Sequence, residues 1–238
     1  MIGRLEAWLI ATIVAFSGMA IAQDHPAEDG TGAVRLRIES SLPGKHRTVP
    51  AVMWLEPVPG TPAAPFQPHG DYRLVQKNRT FIPHLQVIPM GSVVQFPNED
   101  PFFHNVFSLY DGKRFDLGLY EAGSSKSVTF SRRGVSYIFC NIHPEMSAII
   151  IALDTPLYAI ADAHDTFALE HVPPGDYTLH LWIEGVPQSI LDERTRPLHI
   201  PSHVVDVGVI QAPIAAASGM KHENLYGRAY ARDTQSPY

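Results

Sequence analysis

Three side chains that bind soft metal ions lie close together in this chain. Its only cysteine, Cys140, is followed three residues later by His143 and six residues later by Met146. A thiolate, an imidazole and a thioether on so short a stretch can converge on one point, and such donors favour copper over magnesium, calcium or manganese. The stretch therefore predicts three of the ligands of a copper site.

A second imidazole would complete this site. Two histidines and one cysteine in a trigonal plane, with a distant axial methionine, are typical of blue-copper electron-transfer centres. His104, within the aromatic-rich run 102–107, is the candidate. Taken singly, a cysteine at the end of an apolar strand is more often a small buried hydrophobic residue, and a methionine more often fills a core. The combined spacing, directly after the strand-like run 135–139, favours the metal site.

Two blocks of sequence resemble a known family. Residues 91–100 followed by 104–107, and residues 137–140 followed by His143, Pro144 and Met146, resemble a cupredoxin. The short loop from cysteine to methionine is similar to that of the amicyanin type, and the chain more broadly resembles the plastocyanin-like, secreted "methylamine utilization protein" group. The resemblance, strongest over 71–153, implies a Greek-key cupredoxin β-sandwich that holds one type-1 copper through His104, Cys140, His143 and, axially, Met146.

The same resemblance implies roles for the neighbours of these ligands. Asn105 stands where a cupredoxin side chain ties the two ligand loops together, although a plain turn asparagine is a serious alternative. Ile142 and Pro144 flank His143, the more exposed ligand, and would form an apolar rim through which an electron passes to a docked partner. His84 lies at the start of a strand-like run and is interpreted as structural.

Short strands must position these residues. From 71 to 153 the chain alternates short strand-like runs with turn residues, and it shows no convincing amphipathic helix. Repeated short strands at such spacing indicate an all-β sandwich or barrel. His104 and Cys140 are 36 residues apart, which is enough for two or three strands, so both can lie at the same end of a sandwich.

A second β pattern begins after the predicted cupredoxin region. Its Pro174-Gly175 pair fits the centre of a type II turn, and the surrounding runs resemble the closing half of a transthyretin-like, or carboxypeptidase-regulatory-like, β-sandwich module. Asp165 departs from that pattern, which usually has glycine there, but aspartate tolerates the left-handed conformation. We expect residues 33–57 to supply the opening strands of this small module and 154–211 the rest, with the cupredoxin inserted between them. The alternative is that 33–57 belong to an enlarged cupredoxin.

The two ends of the chain carry different signals. Residues 1–22 have a positive start, an apolar run and a small-residue ending, which are typical of a cleavable secretory signal peptide. We therefore expect a periplasmic or secreted protein with no membrane span after cleavage. Residues 212–238 are predicted to be a flexible tail, since they show no periodicity.

The cysteine count and the net charge limit which classes of function are expected. One cysteine excludes an intramolecular disulfide framework, and the net charge of −6 gives no sign of nucleic-acid binding. The expected function is a carrier of single electrons that meets a redox partner, such as a cytochrome c or a dehydrogenase, through a small transient interface. Alternatives are a copper-handling or sensing protein, or an envelope interaction module without electron transfer. An enzyme is not expected, because no additional His-x-His pairs are present.

Overall fold

The computed structural model describes residues 30–41, 48–109, 112–214 and 224–228. These residues form seventeen strands and one short helix, so the prediction of an all-β protein is confirmed. The predicted signal peptide, 1–22, lies outside the described residues. Within the part of the chain that is described, no helix has both the length and the apolar character needed to cross a membrane.

The elements in chain order are β1 (Gly32–Ser40), β2 (Ala51–Pro57), β3 (Tyr72–Arg73), β4 (Val75–Lys77), β5 (Thr80–Ile82), β6 (Leu85–Pro89), β7 (Val93–Pro97), β8 (His104–Ser108), β9 (Phe115–Tyr120), β10 (Ser125–Thr129), β11 (Gly134–Phe139), β12 (Ser147–Leu153), β13 (Tyr158–Ile160), β14 (Thr166–Val172), β15 (Gly175–Ile183), α1 (Gln188–Asp192), β16 (Arg196–Ile200) and β17 (Val204–Ala212).

Strands β3 to β12 build a first sandwich. Its larger sheet has the order β6-β12-β11-β8-β9, and its smaller sheet has the order β10-β7-β3, with β4 and β5 forming a separate two-stranded ribbon. Buried apolar residues from both sheets, among them Phe96, Phe130 and Ile138, form one core cluster. Because β8 and β11 are antiparallel neighbours, the start of β8 and the end of β11 meet at the same end of the larger sheet.

Strands from both ends of the chain build a second sandwich. Its sheets have the orders β14-β1-β17 and β13-β2-β15-β16. Strand β1 pairs antiparallel with β14 and parallel with β17, and β2 pairs antiparallel with β13 and β15. Asp165 has a φ of +58°, so the aspartate does adopt the left-handed conformation at this turn.

Strand β12 is buried on both faces and joins the two sandwiches. One face, with Ala148, Ile150 and Ala152, packs in the core of the first sandwich. The other face, with Ile149, Ile151 and Leu153, packs in the core of the second sandwich. A strand buried on both sides reads as a continuous apolar run rather than an alternation, which is what residues 148–153 show. The five-stranded sheet is therefore a shared layer.

The end of β17 and part of the chain directly after it are buried. Ala212 and Ile214 are buried, and the hydroxyl of Ser40 donates to the carbonyl oxygen of Ile214 over 2.8 Å. The predicted flexible tail, 212–238, therefore includes residues that belong to the second core. Of its remainder, the structure describes only the short turn at 224–228.

A polar contact also bridges the two sandwiches. His84 lies between the carbonyl oxygen of Ser147, 3.0 Å from its Nδ1, and Glu184, whose Oε1 is 2.9 Å from its Nε2. Both ring nitrogens face acceptors, so the protonated imidazolium is favoured. The hydrogen bond to Glu184 raises the pKa of His84, and burial only partly opposes it. His84 therefore takes part in a contact between the two sandwiches.

We expect this contact to make stability depend on pH. Because the folded pKa of His84 lies above the unfolded value of about 6.5, the contribution is fully present below that value and is lost as pH rises through the folded pKa. The histidine side chain is 41% exposed, so the free energy involved is below about 1 kcal/mol. Urea unfolding at pH 6 and pH 8.5 measures it. Glu184→Gln should remove this pH-dependent part, and an identical pH dependence in both proteins would contradict the assignment.

Candidate metal centre

Strand pairing brings the predicted ligands together at one end of the larger sheet, where β8 begins and β11 ends. His104 is the first residue of β8, Cys140 follows the last residue of β11, and Phe139 pairs with Phe107 across these strands. His143 lies three residues further along the loop. Cys140 and His104 are fully buried, whereas His143 is half-buried. Of these three side chains, that of His143 is therefore the nearest to the protein surface.

The donor atoms have the spacing of a metal site. The Sγ atom of Cys140 lies 3.7 Å from Nδ1 of His104 and 3.6 Å from Nδ1 of His143. The three ligand atoms all lie within 4.8 Å of one another. Bonds of about 2.3 Å to sulfur and 2.0 Å to nitrogen, the values known for zinc, separate the two donors by about 3.7 Å at a trigonal angle. The sulfur–nitrogen distances therefore fit three side chains that would hold one metal ion together.

Met146 closes the loop that carries two of these residues. Its backbone N–H donates to the carbonyl oxygen of His143 over 3.1 Å, and its carbonyl oxygen accepts from the N–H of Cys140 over 3.3 Å. The methionine side chain is fully buried in the same apolar cluster as Cys140. The loop thus holds the backbone of Met146 next to that of Cys140, and both side chains are buried.

The protonation states of the site suit metal binding. Burial lowers the pKa of His104, and burial together with the nearby His104 lowers the pKa of His143. Both imidazoles are therefore neutral at neutral pH, with a lone pair for a metal. Burial raises the pKa of the Cys140 thiol, while the backbone N–H groups of Asn105, Ile142 and His143 lower it by donating to the sulfur. A bound metal would deprotonate this thiol outright.

Asp100 belongs to the site and was missed by the sequence reasoning. Its Oδ2 lies 2.8 Å from Nε2 of His104, in a pair that is almost completely buried. The backbone N–H groups of Asn78 and Arg79 donate to the same carboxylate, over 2.6 and 2.9 Å. An acceptor at Nε2 places the proton there and leaves Nδ1 free to face the cysteine. The available signal was an acidic residue four positions before the histidine, at the end of the block 91–100 that resembles a cupredoxin.

Asn105 takes a different side-chain partner from the one expected. Its Nδ2 donates to Oδ1 of Asp116 over 2.7 Å, within the neighbouring strand β9, and its buried Oδ1 has no hydrogen-bond partner among the described residues. The two ligand loops are instead linked through its backbone, because the N–H of Asn105 donates to the sulfur of Cys140. The side chain of Asn105 therefore joins β8 to β9 through this hydrogen bond.

If the site holds the copper ion that the sequence predicts, Asn105→Ala should weaken its binding and shift the reduction potential. The substitution removes the bond to Asp116 and loosens β8 at the point where its backbone donates to the cysteine sulfur. Asp116→Ala removes the other partner of the same bond, so it should shift the potential in the same direction. Copper titration and voltammetry of both variants check this, and an affinity and potential equal to those of the native protein would contradict it.

Apolar side chains lie next to His143, together with the charged Glu145 and Arg79. Ile142 is 44% exposed and Phe103 is 57% exposed, and Pro144 is also exposed. The ring of Phe102 contacts the rings of both His104 and His143, at centroid distances of 5.2 and 5.7 Å. Phe107, in contrast, is buried against Phe139 and contributes to the core rather than to this rim.

The similarity of this chain to known proteins is limited to solved structures. No protein-family model matches it, and no curated protein matches it. Solved structures similar to part of it include the copper-containing nitrite reductase from Thermus scotoductus SA-01 (24% identity, covering 37% of this chain and 25% of that chain, TM-score 0.34). Two others are a purple cupredoxin from Nitrosopumilus maritimus (22% identity, 35% and 100%, TM-score 0.32) and amicyanin from Paracoccus versutus (21% identity, 37% and 85%, TM-score 0.33). This chain therefore spans a quarter of the nitrite reductase chain but the whole of the purple cupredoxin.

Proposed function

We propose that this protein is a type-1 copper protein that carries single electrons between redox partners. The triangle of donor atoms formed by His104, Cys140 and His143, with Met146 buried beside it, is the observation that carries the proposal. Copper, when bound, would supply one-electron redox chemistry. The residues would supply a site that needs little rearrangement, because Asp100 fixes one imidazole and three backbone N–H groups face the sulfur.

A carrier suits these residues better than an enzyme. Four proposed ligands would fill the coordination sphere, so they leave no position for a substrate. His143 is the proposed ligand nearest the surface, and the exposed Ile142 and Pro144 beside it, with Phe102 against its ring, offer a small apolar area. A partner such as a cytochrome c or a dehydrogenase would meet this area through a weak and transient interface. We further propose that the protein acts in the periplasm or as a secreted protein.

We also propose how the chain divides. Residues 71–153 would form the cupredoxin domain, inserted into a transthyretin-like module made of 33–57 and 154–211. The pairing of β1 and β2 with strands that follow residue 153 supports this division. The alternative, in which 33–57 extend the cupredoxin sheets, is not favoured by these pairings.

The test of the proposed function is electrochemical. Mature protein loaded with Cu(II) should show an intense thiolate-to-copper absorption band, narrow copper hyperfine splitting in EPR and a reversible one-electron wave. It should also exchange electrons rapidly with a cytochrome c. A protein that binds copper but shows no reversible wave, and instead passes the ion to a competing chelator within minutes, would be a copper-handling protein.

A further inference from the structure

A short turn near the C-terminus contacts the loop that carries the proposed ligands. The backbone N–H of Leu225 donates to Oδ1 of Asn141 over 2.8 Å, and this bond joins positions 84 residues apart. Asn141 stands directly between Cys140 and Ile142 in the chain. The contact therefore reaches the one loop on which the proposed metal centre depends most.

The turn supports its own shape. The side-chain oxygen of Asn224 accepts from the N–H groups of Tyr226 and Arg228, both over 3.0 Å. The N–H of Gly227 donates to the carbonyl oxygen of Asn224 over 2.9 Å, and Gly227 has a φ of +67°, a conformation that glycine adopts without strain. The N–H of Leu225 takes no part in these internal bonds, so it is available to the ligand loop.

The contact lies next to the part of that loop whose N–H groups face the Cys140 sulfur. The backbone N–H groups of Ile142 and His143 donate to the Cys140 sulfur. The N–H of Ile142 belongs to the peptide unit that begins at Asn141, so a bond that holds Asn141 also limits rotation of this unit. Hydrogen bonds around the cysteine sulfur tune the reduction potential of blue-copper sites. An N–H group that points at the sulfur places the positive end of its dipole near the metal. It would therefore favour Cu(I), which carries less positive charge than Cu(II).

We propose that residues 224–228 form a clamp on the ligand loop and that Asn141 is the positioning residue through which the clamp acts. Its role is to keep the N–H groups of Ile142 and His143 directed at the cysteine sulfur. The effect on the potential rests on the proposed copper function. The clamp itself needs no metal, so it can be tested in the metal-free protein as well.

The test replaces Leu225 by proline and by alanine. Leu225 is the second residue of a four-residue turn, a position that suits proline, so Leu225→Pro removes the N–H donor while the turn is kept. Both substitutions remove the isobutyl group, and the difference between them isolates the hydrogen bond. In the metal-free protein we expect the amides of Ile142 and His143 to exchange with solvent about fivefold faster in Leu225→Pro than in Leu225→Ala.

The copper-loaded protein gives a second measurement. Relative to Leu225→Ala, the equilibrium constant for reduction should fall about fivefold in Leu225→Pro, which for one electron is about 40 mV. Asn141→Ala should produce a similar decrease. The double variant with Leu225→Pro should add nothing further, since both changes break the same bond.

The outcomes separate the clamp from the copper function. Equal exchange rates and equal potentials in the proline and alanine variants would overturn the clamp, and so would additive shifts in the double variant. If the native protein shows no type-1 spectrum, the copper function fails, and the amide exchange of the metal-free variants then decides on the clamp alone.

Discussion

Replacing Cys140 with alanine is expected to abolish the intense visible band of the copper-loaded protein. The band arises from charge transfer between the thiolate and copper, and the chain has no second cysteine that could replace the lost ligand. His104 and His143 would remain, so the variant should bind Cu(II) more weakly and with the wide EPR hyperfine splitting of a site that lacks sulfur. The visible and EPR spectra of the two proteins, recorded side by side, measure this effect.

A matched variant separates loss of a ligand from loss of folding. Cys140 is fully buried and packs in the first core, so its replacement also leaves a small cavity. Cys140→Ser keeps almost the same volume and should fold like the native protein, but it should lack the visible band as well. A band that persists in either variant would show that Cys140 is not a copper ligand, and the interaction-module interpretation would then be preferred.

Asp100→Asn is expected to weaken copper binding about 10- to 100-fold, the range typical of partners that orient metal-binding histidines. Each carboxylate oxygen of Asp100 accepts a backbone N–H, from Asn78 or from Arg79, and one also accepts from His104. An amide presents a donor on one side, so either orientation of asparagine opposes at least one of these N–H groups. If the amide nitrogen faces His104, the imidazole proton moves to Nδ1 and blocks the proposed ligand atom.

Glu99→Gln provides the control, since Glu99 is the neighbouring acid and, among the described residues, its side chain bonds only to the exposed Lys77, at 3.2 Å. The two substitutions change the net charge equally. Competition titration with a copper chelator gives the affinities, and nitrogen NMR of His104 in the metal-free proteins gives the tautomer. Equal affinities for the two variants would mean that Asp100 acts only through its charge. An unchanged tautomer would show that Asp100 does not fix the position of the imidazole proton.

Local sequence was sufficient to predict the proposed ligands and the fold class. Cys140, His143 and Met146 lie within seven residues, so the length of the loop alone keeps them close together. The alternation of short apolar runs and turn residues predicted an all-β protein, because strand periodicity is also a local property. His104 was accessible to the same reasoning, because an imidazole beside a strand is what the incomplete donor set required.

Tertiary structure decided which distant residues support the site. The partner of the His104 imidazole is Asp100, and its carboxylate is held by backbone groups of residues 78 and 79, which no spacing in the sequence connects to the histidine. The same holds for the side chain of Asn105, which bonds to Asp116 across two strands, and for Asn141, which meets a turn 84 residues away.

The shared core also depended on long-range pairing. The apolar run 148–153 predicted a strand, but the burial of both its faces between two cores follows from how β1 and β2 pair with strands beyond residue 153. Periodicity indicates which side chains of one segment face solvent and which face the core. Strand pairing, in contrast, depends on the free energy of contacts among segments far apart in the chain. Sequence by itself therefore determined the type of the strands and the identity of the proposed ligands, and only the tertiary structure decided their partners.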